Sequence, residues 1–392
     1  MSMKHKLLLF LTALLLALMP VGKALAKEVT IDGIRYSYEI GKADCKVVPN
    51  GGELIKGWWF GDNYPYLLGT VTLPSVVKDR RVNIIDNYAF AYVKTSNFSI
   101  VCPPTLRDIG GNAFTGSALI SISLNEGLKT VGERCFLECE KLSSITTPKS
   151  LTMIPASCFE WCINLVSVNL PSITTIHPRA FSSCKALLSV NGGNDPCPVE
   201  IIMERAFAWC FELQTINFAE DKLQSIGEYA FVGCEKLENL TLPASLIQIG
   251  DYAFQKSGLK VLRNNNPVPQ SIKANVFEGV NLSKCILYVP KGCKAAYQAA
   301  EVWKKFGTIL EPGEQVSQVQ GIEKPLFEGE KLAVIDGIPY SLNGTKRTAK
   351  VVSDKTNPSP SGKVVLPATV NYEGNDFTLV EIGTMHSARI RK

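Results

Sequence analysis

Residues 226–254 read IGEYAFVGCEKLENLTLPASLIQIGDYAF, so the phrase that opens the stretch returns 23 residues later as Ile249-Gly250-Asp251-Tyr252-Ala253-Phe254. Self-similarity at a short fixed period marks a repeat architecture, in which one unit is too small to bury its own apolar side and stacked units share a core. Working outward with the pattern (Ile/Val)-x-x-x-(Ala/Cys)-Phe finds Phe90, Phe114, Phe136, Phe159, Phe181, Phe207, Phe231 and Phe254, with a weaker copy at Phe277. The intervals are 24, 22, 23, 22, 26, 24, 23 and 23 residues. Clear copies continue Phe-x-x-Cys-x-x-Leu-x-x-(Ile/Val/Leu)-x-(Leu/Phe), often followed by Pro, as in FVGCEKLENLTLP from Phe231 to Pro243. The second half alternates as a short strand does and Pro ends it. Leu-x-x-Ile-Gly then turns into the next Ala-Phe segment, whose spacing predicts one or two helical turns.

The predicted fold is a repeat solenoid of leucine-rich repeats, each of about 23 residues with a short β-strand and a helical turn. The form I-G-x-x-A-F-x-x-C-x-x-L-x-x-I-x-L-P resembles the BspA-like leucine-rich repeats of bacterial surface and secreted proteins, over about residues 81–290. Pro155, His177 and Met203 stand where that pattern has Gly, and Asn191 to Pro198 adds loop, changes expected to alter local turns rather than the fold.

The flanks divide the chain. Residues 27–80, with VTIDGIRYSY, Trp58, Trp59 and GTVTLP, read as an N-terminal β cap. The array proper spans 81–310 and ends in an amphipathic stretch, with Ala296, Tyr297, Ala300, Trp303 and Phe306 at helical spacing, predicted to be a C-terminal capping helix. A polar linker follows at 311–330. Ile335-Asp336-Gly337-Ile338-x-Tyr340-Ser341 then repeats Ile31-Asp32-Gly33-Ile34-x-Tyr36-Ser37, and GKVVLPATV from Gly362 repeats GTVTLPSVV from Gly69. Residues 331–392 therefore read as a second opening cap with no array behind it, a truncated unit.

Residues 1–26 have the three parts of a secretion signal: basic Lys4 and Lys6, an apolar run from Leu7 to Met19, and Ala24-Leu25-Ala26 as a small-x-small cleavage site. That run is 13 residues long, against roughly 20 for a spanning helix. The expectation is an exported protein, secreted or at the cell surface, with no transmembrane segment after cleavage. Losing Lys4, Lys6 and Lys23 takes the formal charge from +5 to +2, too little for a nucleic-acid partner.

Export would make twelve cysteines a disulfide framework, yet Cys139, Cys162, Cys184, Cys210 and Cys234 all stand three residues after a Phe. A column of small, soft side chains facing the core accounts for them. Cys135 and Cys158 replace the Ala of Ala-Phe; zinc sites favour closer pairs with histidines, so no metal is expected. A disulfide among Cys45, Cys102, Cys197, Cys285 and Cys293, for instance Cys285 with Cys293, stays open. The mature chain has only His177, at a repeat turn, and His386. It carries no zinc-protease helix motif, no nucleophile-elbow serine, no phosphate-binding glycine loop and no calcium loop, so neither an enzyme nor a cofactor is expected.

Two columns of side chains remain for recognition. The outward strand positions run Ser121 and Ser123, Ser144 and Thr146, Ser167 and Asn169, Ser189 and Asn191, Thr215 and Asn217, Asn239 and Thr241. These can simply ladder with one another, or form a hydrogen-bonding face for a glycan. As read over these rungs the column has no Trp, Tyr or Arg, the types that dominate binding energy. Those types gather just before Ala/Cys-Phe, at Tyr88, Asn112, Arg134, Ser157, Arg179, Arg205, Tyr229 and Tyr252, with Trp161 and Trp209 two residues after their Phe. Their stems can cover the repeat ridge; alternatively Arg134, Trp161, Arg179, Arg205, Trp209, Tyr229 and Tyr252 make a partner-binding ridge. The resemblance implies an exported, non-catalytic adhesion protein that binds a host matrix or other cell-surface protein. A carbohydrate-binding or scaffold protein working with surface enzymes is the alternative.

Overall fold

Each rung is fixed by where its backbone N–H groups go. In the rung around Phe159, the N–H groups of Ser157, Phe159 and Trp161 donate sideways to the carbonyls of Pro178, Ala180 and Ser182 of the following rung, at 2.9, 2.8 and 2.9 Å. Between them, Cys158 and Glu160 close tight turns onto Pro155 and Ser157. An α-helix would send every one of these N–H groups four residues back along its own chain. The expected helical turn per repeat is therefore absent, replaced by turns that pair rung to rung. The geometry needs a left-handed residue on either side of the Phe: Ser157 has φ +53° and Trp161 φ +61°.

In the computed structural model, the described residues are 26–49, 53–55, 58–60, 67–94, 97–191, 196–314, 330–335, 338–343, 348–351, 369–372 and 375–382. The proposed secretion signal lies outside them, save Ala26, as do most of the linker and the final ten residues. The chain forms two compact units, 1–187 and 188–392.

In the first unit the opening hairpin pairs Ala26–Ile31 with Ile34–Glu39 and turns at Asp32 and Gly33, both at positive φ. That is the demand of a two-residue hairpin turn, met by Asp-Gly. Asp44–Val48 joins the hairpin antiparallel, and Arg80–Ile85 runs parallel to it. Rungs then add in parallel: Asp108–Ile109 and Thr130–Val131 extend this sheet, while Gly69–Thr72, Phe98–Val101 and Leu119–Ser123 form a second. Ser144–Thr146 pairs with Ser167–Asn169, and Met153–Ile154 with Thr175–Ile176. The rungs of this unit thus contribute two short strands each to a β-solenoid.

The second unit continues this plan with Ile201–Ile202, Ser225–Ile226 and Gln248–Ile249 in one parallel ladder. Asn239–Leu242, Val261–Asn264, Ile286–Tyr288 and Thr308–Leu310 form another. Near the chain's end, Glu330–Ile335 and Ile338–Asn343 form a hairpin whose Ile335–Ile338 pairing repeats Ile31–Ile34. Asn375–Ile382 lies parallel to Thr348–Val351 and antiparallel to Thr369–Tyr372. Arg80–Ile85 bears the same relations to Asp44–Val48 and Val76–Val77.

The phenylalanines stack through the core of each unit. Phe90, Phe114, Phe136, Phe159 and Phe181 follow at centroid spacings of 5.1 to 5.3 Å with interplanar angles no larger than 8°. Phe207, Phe231, Phe254 and Phe277 stack at 5.3, 5.7 and 5.5 Å. Burial of each ring is worth about 2–3 kcal/mol, and each stacked pair adds roughly 0.5–1.5. The ladder cysteines do more than fill space. The Sγ of Cys139, Cys162 and Cys184 donates to the carbonyl of Phe114, Phe136 and Phe159, one rung back, at 3.1, 3.0 and 3.1 Å. Cys234 does the same to Phe207 in the second unit.

One alternative left open by the sequence closes, and one further expectation is corrected. All twelve cysteines are free, and Cys285 has no bond to Cys293; its thiol donates to the Leu259 carbonyl at 3.0 Å, as a ladder cysteine does. The amphipathic stretch does not form the expected capping helix. Only Lys294–Ala299 is α-helical, Ala300 turns extended, and Trp303–Lys305 is a single 3-10 turn before the strand Thr308–Leu310. Its apolar residues still cover the end of the stack, because Trp303 and Phe306 meet Phe277 edge-on at 5.8 and 5.6 Å. The Trp303 indole N–H donates to the Gln270 carbonyl and the Tyr297 hydroxyl to that of Asn266, so both polar tips are satisfied.

Candidate functional site

The ridge residues are placed by backbone conformation. Tyr88, Asn112, Arg134, Ser157, Arg179, Arg205, Tyr229 and Tyr252, each two residues before a Phe, all have φ between +53° and +59°. Tyr92, Gly116, Glu138, Trp161, Ser183, Trp209, Gly233, Lys256 and Gly279, each two residues after a Phe, have φ between +52° and +81°. The left-handed conformation costs an L residue about 1–2 kcal/mol, offset here by the rung-to-rung hydrogen bonds it permits.

In the first unit Arg134 and Arg179 are exposed and Trp161 is 45% exposed. The Lys185 ammonium lies 5.4 Å from the Trp161 ring centre, and Ser157, the rung neighbour of Arg134, is buried. In the second unit the column becomes a stack: the Arg205 guanidinium lies 4.6 Å over Tyr229, whose ring lies 4.7 Å from that of Tyr252 at an angle of 5°. Arg205 also pairs with Glu204. Partial burial in this stack pushes the Tyr229 phenol up from its ordinary value; Tyr252 and Glu228 add to the shift and Arg205 opposes it. Trp209 is 40% exposed and its indole covers Gly233 of the next rung. The structure thus brings Arg205, Trp209, Tyr229 and Tyr252 onto adjoining rungs of one unit, while Arg134, Trp161 and Arg179 belong to the other.

On the strand face Ser144, Thr146, Asn169, Thr215, Asn217, Asn239 and Thr241 are exposed and Ser167 is half-buried, as outward positions should be. Asn191 is not outward but buried, at φ +55°. The Ser121 hydroxyl donates to that of Ser99 at 2.8 Å, a cross-strand ladder. In the first unit Ser121, Ser123, Glu126, Ser144, Thr146 and Thr147 line a polar cleft of about 360 Å³. The column also reaches further than the sequence reading took it. Arg263 stands in register with Thr241, and Tyr288 with Arg263. The sign of this was available in LKVLRNN and CILYVP, whose strands keep the alternation.

Among the described residues no group of three or more His, Cys, Asp or Glu could hold a metal ion, and no helix is long and apolar enough to cross a membrane. What the two faces offer chemically is hydrogen bonding, stacking and charge.

The family model described as the BspA type leucine rich repeat region matches residues 66–188 and 194–298, in six copies. A search of the curated proteins gives no match. Among solved structures the chain is similar to the Treponema pallidum leucine-rich-repeat protein, at 26% identity and a TM-score of 0.43, over 54% of this chain and 91% of that one. It is also similar to a leucine-rich cell surface protein of Faecalibacterium prausnitzii, at 16% identity and a TM-score of 0.28, over 75% and 97%. The pneumococcal vaccine antigen PcpA is similar at 17% identity and a TM-score of 0.32, over 75% and 100%. With its period, its Phe and Cys columns and this match over more than half its length, the chain belongs to the BspA-type leucine-rich-repeat family.

Proposed function

We propose that the protein is an exported, non-catalytic surface protein that binds a protein ligand, on a host matrix or another cell, through the ridge flanking its phenylalanine stack. The observation that carries this reading is the Arg205–Tyr229–Tyr252 stack with exposed Trp209 beside it. Arginine and aromatic side chains held in one conformation by backbone and neighbour bind with little entropy left to lose. Arg134, Trp161 and Arg179 offer the same residue types in the first unit. Replacing Arg179, Arg205 and Trp209 together with Ala is expected to weaken capture on a matrix-protein panel at least about tenfold, as loss of two or more anchor residues should. Far-ultraviolet circular dichroism should show the fold retained, with the melting temperature lowered only by the lost packing of Trp209 on Gly233. Unchanged capture removes the proposal.

A second reading rests on the first unit's hydroxyl-lined cleft: Ser121, Ser123, Ser144 and Thr146 could hydrogen-bond a sugar. A glycan array run beside the protein panel separates the two readings, since Ser144→Val with Thr146→Val would weaken only the glycan reading.

A further inference from the structure

The strand face of the second unit ends in a feature absent from the rungs before it. Asn239, Val261 and Ile286 share one register row; Thr241, Arg263 and Tyr288 share the next. The Arg263 guanidinium lies 4.6 Å over the Tyr288 ring. Among the described residues this guanidinium forms no hydrogen bond and no ion pair, whereas nearby Lys260 is held by Glu238 at 2.6 Å. Tyr288 and Arg263 are both half-buried, and Asn239 and Thr241 beside them are open to solvent.

A guanidinium carries five N–H donors in one plane and no acceptor. Stacking occupies its face, fixes its orientation and leaves its edge to donate. The group that matches such an edge is a carboxylate, which accepts two parallel N–H bonds. We propose that the Arg263–Tyr288 pair is a docking site for an acidic side chain of a protein partner. Thr241 and Asn239 supply further hydrogen bonds, and Val261 and Ile286 give apolar ground for the residues flanking that carboxylate. A polysulfated glycan fits less well, because its successive charges call for several free cations and Lys260, three residues before Arg263 on the same segment, is already paired. This face is separate from the ridge that flanks the phenylalanines, so the site does not rest on the ridge reading.

The test uses the full chain and two labelled, end-capped nonapeptides, one with a central glutamate flanked by valines and one with glutamine in its place, titrated by fluorescence anisotropy. The glutamate peptide is expected to bind about tenfold more tightly, the usual worth of a charge-assisted hydrogen-bonded pair. R263Q should erase the preference, R263K should restore only part of it because lysine lacks the planar fork, and K222Q, at an exposed turn lysine of the same unit, should leave it intact. Circular dichroism of R263Q and R263K monitors folding. The proposal is overturned if the two peptides bind alike, if neither binds at millimolar concentration, or if the preference survives in R263Q. It is equally overturned if a heparin fragment binds at Arg263 and the peptides do not.

Discussion

Gly233→Ala tests how the ridge is built, because one added methyl group probes both the backbone and Trp209. Gly233 sits at φ +70°, and a Cβ placed there would lie 2.3 Å from Cε3 and 2.7 Å from Cζ3 of the Trp209 indole. Carbon atoms rest at about 3.5–4.0 Å, so the indole must move by more than an ångström and give up its seat on the next rung. The backbone term alone is expected to be about 1–2 kcal/mol. Ser183 and Lys256 already hold the equivalent conformation in their own rungs, so this term will not unfold the unit. Displacing the indole adds roughly 1–3 kcal/mol, the usual range for overpacking, for a total of about 2–5.

The two contributions separate in a double-mutant cycle. In a Trp209→Ala background the clash has no partner, and Gly233→Ala should cost only the backbone term, leaving a coupling of about 1–3 kcal/mol. Urea unfolding followed by far-ultraviolet circular dichroism gives all four free energies without relying on tryptophan emission. Equal losses in the two backgrounds would refute the reasoning, since Trp209 could not then be lying over Gly233.

Two further outcomes are expected. Burial pushes the Cys102, Cys139 and Cys197 thiols up to about 12, and those of Cys135, Cys162 and Cys234 well above their ordinary value. At pH 8 such groups are thiolate at a level on the order of one part in ten thousand, so a thiol reagent should promptly label Cys293, the only cysteine not buried, and reach the other eleven only on unfolding; fast native labelling of several thiols would contradict the buried ladder. At the closing end, the Lys294 ammonium holds Glu314 below its ordinary value, helped by the Glu311 N–H, and the Lys294 N–H does the same for Glu311. A carboxyl lowered by folding stabilises above its unfolded value of 4.5 and ceases to do so as pH falls through the lower folded value. Trp303 emission should therefore report loosening of this end below pH 4.5, and Glu314→Gln should flatten that part of the profile.

The side-chain columns were legible because each must meet the same core in every rung. Phe, Cys, Leu and Ile recur at fixed offsets, and Phe136 meets Phe159 as Phe231 meets Phe254. The helical turn was misread because apolar spacing in Ala-Phe-x-x-Cys suits a helix equally well, while the destination of the N–H groups is not written in side chains. A trace of it was visible: Gly116, Gly233 and Gly279 all fall two residues after a Phe, where φ must be positive. Cys285 escaped its column because its rung approaches the strand through the 3-10 turn Leu282–Lys284 rather than through Phe-x-x-Cys. The ridge types were legible as residues but not as neighbours, since stacking of Tyr229 on Tyr252 depends on rung spacing.

That spacing bears on how recognition can vary without disturbing the scaffold. Positions two before the Phe have their backbone dictated by the lateral hydrogen bonds, so at Arg134, Arg205 and Tyr229 the core constrains conformation and leaves identity open. Neighbour identity then decides how rigidly each group is presented. Arg205 is held against Tyr229 and through it against Tyr252, whereas Arg134 has buried Ser157 on the next rung and, among the described residues, no ring to lie on. An arginine without such a support keeps more rotamer freedom, about 2 kcal/mol of entropy for the free side chain, and loses it only on binding. Under the proposed function, the same Arg→Ala change should therefore weaken binding more at Arg205 than at Arg134, even though Arg134 is the more exposed of the two.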